Sequence, residues 1–427
     1  MRGRKEVRLW LESTKKLGMA LGLLNTSKAV EALHLQPSTF TTVHVAGSNG
    51  KGTTCALLCT ALTNEGISNL LFSSPHLIRV EERIRINGAP IHSNVLDRAL
   101  EKVQQVTRTH GIRVTFFEVT FLAALVVASE LEVEVMVLET GLGGRLDATR
   151  VAEADISVLT TISTEHTDVL GKERTAIARE KAAIARANRP LIVRSPGDEK
   201  VCEAIEETAL NAGMNLLNEE CGPADVKYVE VPSGATFREE AQCLVEEIWS
   251  HLQCVNHQKG PITSNCVWPA RMQIIEPQNS NEPGFLLDGA HNPSGISRAV
   301  SELSRQSQLM SGNWVLLFGT SPQTDMKGIM EPLIHLCREN PPAAIILSEP
   351  QGGRYPPVPT IELKSWFDTL EVPIFIHPVP SDAVAHAKHH YDQSTLVVSI
   401  GSLYMQGNVL VSLGIDSDAD LSFVAKH

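Results

Sequence analysis

Residues 41–54 are Thr-Thr-Val-His-Val-Ala-Gly-Ser-Asn-Gly-Lys-Gly-Thr-Thr, a β-favouring run that leads into a glycine-rich segment. Its first half holds Val43 and Val45, which favour a β-strand, and an apolar run with helical spacing begins at Cys55. The glycines between them predict a tight loop that joins the strand to the helix. Such a loop points backbone N–H groups and the positive end of the helix dipole at an anion, which is usually phosphate. We therefore predict a phosphate-binding loop.

The side chains of this loop suit a nucleoside triphosphate. Lys51 is placed to neutralise charge on the β- and γ-phosphates, and the Thr53 hydroxyl to ligate Mg²⁺. The spacing departs from the common phosphate-loop pattern, because Val45 stands where the first glycine is expected and Gly52 separates the lysine from the threonine. The alternative interpretation is a polar loop that only turns the chain. The predicted nucleotide-binding residues of the loop are Gly47, Asn49, Gly50, Lys51, Gly52 and Thr53.

Composition restricts the class of protein. A chain of 427 residues with 43% hydrophobic and 20% charged residues is typical of a globular protein with two domains. The formal net charge of −12 disfavours a nucleic-acid surface. The eight cysteines lack Cys-x-x-Cys spacing, which favours reduced thiols over disulfides or a zinc site. The apolar runs are shorter than a membrane span, so we expect a soluble protein whose partners are small molecules, with neither nucleic acid nor membrane among them.

The N-terminal segment 1–18 is rich in Lys and Arg, as a mitochondrial presequence is, but Glu6 and Glu12 interrupt it. We interpret this segment as a solvated helix face and expect cytoplasmic localisation, with a mitochondrial one as the alternative. A short amphipathic helix is predicted over 22–33, before Pro37.

A carboxylate marks the end of a later predicted strand. The apolar run 133–138 is followed directly by Glu139, and a helix with a Thr115/Glu118 capping box is predicted over 115–128. An acid at the C-terminal end of a parallel strand beside a phosphate loop is where a carboxylate holds Mg²⁺. The alternative is an acid that faces water, which leaves the glycines at 141, 143 and 144 unexplained.

The last part of the chain alternates strands with helices. Apolar runs at 285–287, 314–318, 343–347, 372–376 and 395–400 predict a parallel, Rossmann-like sheet. No Gly-x-Gly-x-x-Gly follows these runs, which disfavours a dinucleotide site. A polar, proline-containing segment precedes them, so we predict an N-terminal domain over 1–257, a linker over 258–283 and a C-terminal domain over 284–427.

Several motifs together resemble those of the folylpolyglutamate synthase and dihydrofolate synthase family, relatives of the Mur ligases. They are the loop 47–53, Ser-Ser-Pro-His-Leu at 73–77, Glu-Thr-Gly-Leu-Gly-Gly-Arg-Leu-Asp-Ala-Thr at 139–149, His-Thr-Asp-Val-Leu-Gly at 166–171, Trp-Pro-Ala-Arg at 268–271 and Asp-Gly-Ala-His-Asn-Pro at 288–293. The resemblance implies an α/β protein with an N-terminal P-loop ATPase-like domain, built on a parallel-rich sheet, and a C-terminal Rossmann-like domain.

The resemblance also implies roles for single residues. Ser74 and His166 would ligate Mg²⁺ together with Thr53 and Glu139, and Lys181 would be carbamylated to give a further carboxylate. Arg271 and Asp288 would contact the nucleotide, and His291 would act beside the phosphates; the expected catalytic residues are Lys51, Lys181 and His291. The chain departs from the family pattern at Ser48, Glu165, Ala183 and Ala270. It also departs in the segment 197–261, where the family has an asparagine that contributes to nucleotide binding and the nearest match in this sequence is Glu240.

These parts predict an ADP-forming amide ligase that uses ATP and Mg²⁺ to convert a carboxylate to an acyl phosphate, which an amine attacks. Three hypotheses stand: a dihydrofolate synthase joining L-glutamate to dihydropteroate, a folylpolyglutamate synthase adding glutamate to reduced folates, and a homologue that binds nucleotide without catalysis. We favour the first on the compact length and the Arg-Glu-Lys-Ala sequence at 179–182. A monomer is expected.

Overall fold

The computed structural model describes residues 2–18, 22–35, 40–164, 171, 173–214, 220–306, 309, 311–353 and 355–425. The chain divides into two compact units. The first comprises Met1–His76, Val80–Cys266 and Ser422–His427, and the second Leu77–Arg79 and Val267–Leu421.

The first unit is a sheet with helices packed against it. Its helices are α1 (Arg2–Thr14), α2 (Leu24–Leu33), α3 (Lys51–Asn64), α4 (Ser93–Thr109), α5 (Phe116–Leu131), α6 (Arg174–Ala182), α7 (Glu199–Ala209) and α8 (Phe237–His251). Its strands are β1 (Thr41–Ala46), β2 (Asn69–Phe72), β3 (Ile84–Ile86), β4 (Ala89–Pro90), β5 (Val135–Glu139), β6 (Ile156–Leu159), β7 (Pro190–Arg194) and β8 (Asp225–Val229). Over the described residues the strand order is β4-β3-β2-β5-β1-β6-β7-β8, parallel from β2 to β8, with β3 and β4 antiparallel.

Continuous apolar strands explain why this sheet is covered on both faces. All five residues of β5 are buried, as are the last five of β1, which is typical of a parallel strand between two layers of helices. Helix α5 begins with the predicted capping box, in which Thr115 and Glu118 bond each other reciprocally. Its apolar residues from Val119 to Ala128 enter a core cluster with β2 and α4.

The strand order brings three loops to one edge. Strand β1 lies between β5 and β6, with Val45 opposite Glu139 on one side and Val158 on the other. Because these strands are parallel, the segments that follow them emerge at the same edge, where ligands bind in open α/β sheets. The phosphate loop, Glu139 and Thr160 therefore come together.

The second unit carries a smaller sheet. Its helices are α9 (Pro293–Leu303), α10 (Met326–Glu339), α11 (Thr360–Phe367), α12 (Pro380–His390) and α13 (Leu403–Ser412). Its strands are β9 (Gln273–Ile275), β10 (Gly284–Leu287), β11 (Trp314–Phe318), β12 (Ala344–Leu347), β13 (Ile374–Ile376) and β14 (Leu396–Ile400), in the order β13-β12-β11-β14-β10-β9 over the described residues. Only β9 pairs antiparallel among these described strands. The predicted α/β class with two parallel-rich sheets is confirmed.

Tertiary structure changes some predicted boundaries. The segment 258–283 is not linker throughout, because β9 within it pairs with β10 of the second unit. The last residues return to the first unit, where Val424 pairs with Cys266. The strand predicted over 133–138 is observed at Val135–Glu139.

The N-terminal segment forms a helix with the predicted solvated face, on which Lys5, Glu6 and Glu12 are exposed, but its opposite face is buried. Val7 and Leu11 of α1 are each 1% exposed and enter the core cluster of the first unit. Arg8 pairs with Glu81 at 2.8 Å and with Asp97 at 2.5 Å. The helix is amphipathic. It is attached to the first unit by its apolar residues Val7 and Leu11 and by the two ion pairs of Arg8. None of the helices in the described residues is long and apolar enough to cross a bilayer.

Candidate active site

Glycines give the phosphate loop its conformation. Gly47 has φ +148° and Gly50 has φ +86°, values that side-chain-bearing residues adopt rarely, and α3 begins at Lys51 directly after Gly50. A Cβ on Gly47 would lie 1.8 Å from Thr160 Oγ1, so the loop passes against the segment after β6. The result is a tight turn at a helix N-terminus, as the sequence predicts.

Backbone and hydroxyl contacts from the β6 segment hold this loop. The Ser48 N–H donates to Thr161 O at 2.7 Å, and the Asn49 N–H donates to Thr161 Oγ1 at 3.0 Å. Thr160 Oγ1 in turn donates to Asn49 O at 2.7 Å. The loop is therefore fixed by its neighbouring strand before any ligand binds, which lowers the ordering cost of binding.

Two lysines donate to a single carbonyl of this loop. Lys51 Nζ lies 2.8 Å from Gly47 O and 3.3 Å from Ser48 O. Lys181, at the end of α6 and only 1% exposed, places its Nζ 2.9 Å from the same Gly47 O. The structure thus brings together two lysines that are 130 positions apart, as the proposed roles require.

Glu139 lies at the C-terminal end of β5 and is 7% exposed. Its Oε2 accepts the Ser74 N–H at 3.1 Å, which places Ser74, after β2, beside it. Thr53 lies in the first turn of α3 and is also buried. Carboxylate and hydroxyl oxygens are donors that Mg²⁺ prefers, so the chemistry of these residues fits the ion.

No three His, Cys, Asp or Glu side chains converge on a possible metal position within the part of the chain that the structure describes. His166, the fourth predicted ligand, lies outside the described residues.

The glycine turn after Glu139 is held by the carboxylate of Asp147, a residue to which our sequence analysis assigned no role. Asp147 Oδ2 accepts the N–H groups of Gly141 and Leu142, each at 2.9 Å. Further along the turn, a Cβ on Gly144 would lie 2.7 Å from Glu180 O and 2.9 Å from Lys181 O. The turn therefore lies between Glu139 and the end of the helix that carries Lys181, which explains its glycines.

In the second unit, Asp288 joins two backbone segments. Its carboxylate is 4% exposed and accepts the N–H groups of Met272 at 3.0 Å and Ala290 at 2.8 Å. Burial raises the pKa of Asp288, while the Arg271 guanidinium and these hydrogen bonds act in the opposite direction. The structure thus brings Arg271 and Asp288 together.

The rest of this predicted cluster follows along the chain. Arg271 Nη1 donates to Ala270 O at 3.1 Å, and a Cβ on Gly289 would lie 2.2 Å from that nitrogen. His291 is exposed, and its Nδ1 lies 2.9 Å from Gly289 O. Ala270, where the family pattern has glycine, has φ +57°, so this chain places a methyl group on a left-handed residue.

Glu240 forms an ion pair within the first unit. It is 6% exposed on α8, and its Oε1 lies 2.7 Å from Arg194 Nη2 at the end of β7. At this position the chain therefore has an ion pair between a buried carboxylate and an arginine whose side chain is 29% exposed.

A cationic aromatic cluster near the cis Ser74–Pro75 bond was not foreseen from the sequence. The Lys15 ammonium and the Arg83 guanidinium lie 4.9 Å and 5.0 Å from the Phe116 ring centroid. Arg83 Nε donates to His76 Nδ1 at 2.9 Å. Burial, with Arg83 and Lys15, lowers the pKa of His76 to about 3, so this imidazole is neutral at physiological pH.

Comparison with known proteins agrees with this geometry. Residues 45–221 match the Mur ligase middle domain. The Escherichia coli dihydrofolate synthase/folylpolyglutamate synthase is 39% identical over 342 residues, which cover 75% of this chain and 77% of the relative. The Buchnera aphidicola protein of the same name, from strain APS, is 31% identical over 342 residues, covering 76% of each.

Solved structures extend the likeness to both units. The Yersinia pestis bifunctional folylpolyglutamate synthase/dihydrofolate synthase, complexed with AMPPNP and a Mn ion, has a TM-score of 0.75 and 25% identity and covers 96% of this chain and 98% of its own. The chain belongs to the dihydrofolate synthase/folylpolyglutamate synthase family, within the Mur ligase fold.

Proposed function

We propose that this chain, an ADP-forming acid–amino-acid ligase by its family, is a dihydrofolate synthase that joins L-glutamate to the carboxylate of dihydropteroate. The observation that carries the proposal is the convergence of Lys51 and Lys181 on Gly47 O, with Glu139 at the end of the adjacent strand. A phosphate loop beside a strand-end carboxylate supports phosphoryl transfer from ATP.

The proposed reaction has two steps. A carboxylate oxygen of the acceptor attacks the γ-phosphorus of ATP, and the bond to ADP breaks to leave an acyl phosphate. The amine of glutamate then attacks the acyl carbon. The bond between this carbon and the bridging oxygen breaks, so phosphate leaves with one oxygen of the acceptor carboxylate, and a proton of the amine passes to solvent. Positioning and charge neutralisation supply most of the rate in such a transfer.

The nucleotide contacts that we propose come from the phosphate loop and from residues 271, 288 and 291. Lys51 would move from its contact with Gly47 O to the β- and γ-phosphates, while the loop N–H groups face the same anion. Arg271 would supply a guanidinium to the phosphates, Asp288 would engage the nucleotide, and His291 would act on the phosphate side. The short distances that join residues 270–291 support a single preformed cluster.

Thr53, Ser74, Glu139 and His166 would hold Mg²⁺. The hydrogen bond between Ser74 and Glu139 supports this for two of them, and the oxygen donors suit the ion. When bound, Mg²⁺ would neutralise phosphate charge and orient the phosphates.

Lys181 would act as a carbamate. Its neutral amine attacks the carbon of CO₂, a nitrogen–carbon bond forms, and one proton leaves to solvent. The side chain is 1% exposed, and a lysine in so little water loses its proton more readily than a solvated one. The resulting carboxylate would add an anionic oxygen ligand where an ammonium would repel a cation.

Folylpolyglutamate synthesis is the second candidate function. The names of both curated relatives carry the two activities, so a reduced folate is an equally testable acceptor. The third hypothesis, a homologue that binds nucleotide without catalysis, is disfavoured by the presence of Lys51, Glu139, His166 and Asp288 in the sequence.

One assay separates these functions. Pure protein is incubated with ATP, Mg²⁺, L-glutamate and either dihydropteroate or tetrahydrofolate, and the products are identified by mass. We expect dihydropteroate to gain one glutamate residue with release of ADP. Product from tetrahydrofolate alone would assign the second function, and no product from either acceptor would contradict the proposal.

We also propose a cytoplasmic monomer. The chain mass is 46.5 kDa, so light scattering after size exclusion should give that value, and a mass twice as large would contradict the monomer.

A further inference from the structure

A histidine is buried in the strand that leads to the phosphate loop. His44 of β1 is 0% exposed, and it lies opposite Leu138 of β5 and Ser157 of β6. Its Nε2 lies 2.8 Å from Thr149 Oγ1, whereas its Nδ1 is buried without a hydrogen-bond partner. A polar group left in this state carries a cost in stability, so its presence at the centre of the sheet calls for a compensating role.

The hydrogen bonds around Thr149 fix the direction of the contact. Thr149 Oγ1 donates to Asp147 Oδ1 at 2.5 Å, and the Thr149 N–H donates to the same oxygen at 3.0 Å. A hydroxyl has one proton, so the Thr149 oxygen must accept from His44, which therefore carries its proton on Nε2. The three side chains form a relay from β1 to a carboxylate.

The charges that face this histidine keep it neutral. Arg186 and Arg150 are buried nearby, and Arg186 donates to Arg150 O at 2.8 Å. Burial lowers the pKa of His44 well below its usual value, and the two guanidinium groups lower it further. The donor at Nε2 is therefore a neutral imidazole N–H over the working pH range.

The far end of the relay reaches the proposed active site. The other oxygen of Asp147 accepts the N–H groups of Gly141 and Leu142, in the turn that follows Glu139. The same turn contacts the backbone of Lys181 through Gly144. Rotation of the Asp147 carboxylate would release both N–H groups and move the turn between these two proposed active-site residues.

We propose that His44 is a positioning residue, which acts through Thr149 and Asp147 to fix the 141–144 turn and with it the spacing of Glu139 and Lys181. This inference rests on the proposed function, because it is that function that gives Glu139 and Lys181 their roles.

Three variants separate positioning from packing. His44→Gln keeps an N–H donor at the distance of Nε2, His44→Leu removes the donor at similar volume, and Thr149→Val removes the bridging oxygen. At fixed pH and saturating substrates, we expect His44→Leu and Thr149→Val each to lower kcat by about 10- to 100-fold. Both should raise the Mg²⁺ concentration for half-maximal rate, whereas His44→Gln should stay close to wild type. The double variant His44→Leu/Thr149→Val should have a kcat no lower than that of Thr149→Val alone.

A second readout needs neither metal nor turnover. Amide exchange at Gly141 and Leu142 in the ligand-free protein should become faster in His44→Leu and Thr149→Val and remain protected in His44→Gln. A purely structural role would lower Tm but leave these amides, kcat per folded molecule and the Mg²⁺ response at wild-type values, which would overturn the proposal.

The controls separate two kinds of failure. If His44→Leu does not fold, the pair Thr149→Ser and Thr149→Val makes the same comparison, with the serine variant expected to behave as wild type. An inactive wild type would contradict the proposed function. Amide exchange at Gly141 and Leu142 would still show whether His44 and Thr149 fix the turn. An active wild type with unaffected variants would overturn the relay alone.

Discussion

At the scale of single residues, the most informative contact is the pair of lysines on Gly47 O. Lys51 and Lys181 each donate to this oxygen within 3 Å, at 2.8 and 2.9 Å. Two ammonium groups that share one acceptor repel each other. A ligand that draws one of them away, or a modification that removes its charge, relieves this repulsion. We therefore expect both lysines to change partners when the active site is loaded, and each change can be tested.

Replacing Lys51 with Ala should lower turnover by about a hundredfold or more while the fold survives, because a preorganised donor to a developing phosphate charge contributes roughly 3 to 4 kcal/mol. Steady-state kinetics with ATP measures the effect. The matched control is Lys227→Ala, which should retain full turnover, because Lys227 is an exposed residue of β8 whose ammonium pairs with Asp225 at 3.2 Å. Equal rates for Lys51→Ala and this control would refute the phosphate-loop assignment.

Lys181→Ala should be nearly inactive, and added formate or acetate should restore part of the rate, since a small carboxylate fits the vacated volume. Lys51→Ala is the matched control, because an anion cannot replace a lost cation. Intact-mass analysis of the active wild type should also find one CO₂ on the chain, mapped to Lys181. Full activity of Lys181→Ala in CO₂-free buffer would contradict the carbamate.

At the scale of elements, local sequence signals predicted what local chemistry controls. The strand at 314–318 and the capping box at Thr115 follow from an apolar run and from side-chain hydrogen bonding alone. Other features depend on contacts distant in sequence, such as β9 completing the second sheet and Val424 pairing with Cys266. The site divides in the same way: motif residues were found, whereas the His44 relay and the Lys15 contact with Phe116 join segments more than 100 positions apart.

The two capping boxes offer a test of how burial scales a cap. Thr115 is 5% exposed and Glu118 3% exposed, and Glu118 also accepts from Thr26 Oγ1 at 2.8 Å. The second box, Thr236 with Glu239 at the start of α8, is more exposed. Denaturant unfolding should show a loss of about 2 kcal/mol for Thr115→Ala and under about 1 kcal/mol for Thr236→Ala. Equal losses would mean that burial does not amplify the cap.

At the scale of the whole molecule, buried and half-buried titratable groups link the stability of the fold to pH. His44 and His76 of the first unit and His386 of the second have lowered pKa values, in each case first because of burial. The unfolded chain takes up protons at these histidines below about pH 6.5, while the folded chain takes them up only at lower pH, so the free energy of unfolding falls as pH falls. Burial raises the pKa of Asp147 and of Asp288 above 3.8. Between pH 3.8 and these raised pKa values the folded chain binds more protons at the two groups than the unfolded chain, so they increase the free energy of unfolding as pH falls.

The histidine contribution can be isolated at His44. Both His44→Gln and His44→Leu remove the titrating ring, so between pH 6 and 5 the free energy of unfolding should fall less steeply than in wild type, by about 1 kcal/mol per pH unit. Urea unfolding at several pH values measures the slope, and comparison with wild type cancels the other groups. An unchanged slope in both variants would mean that His44 is protonated in the folded protein.

The fate of one oxygen atom shows whether the acceptor carboxylate is activated as an acyl phosphate. Dihydropteroate labelled with ¹⁸O in its carboxylate is incubated with the protein, ATP, Mg²⁺ and L-glutamate, and the released inorganic phosphate is analysed by mass. An acyl phosphate requires that one labelled oxygen per turnover passes to phosphate, with ADP as the other product. Label in AMP, or amide product formed with no label in phosphate, would contradict the account.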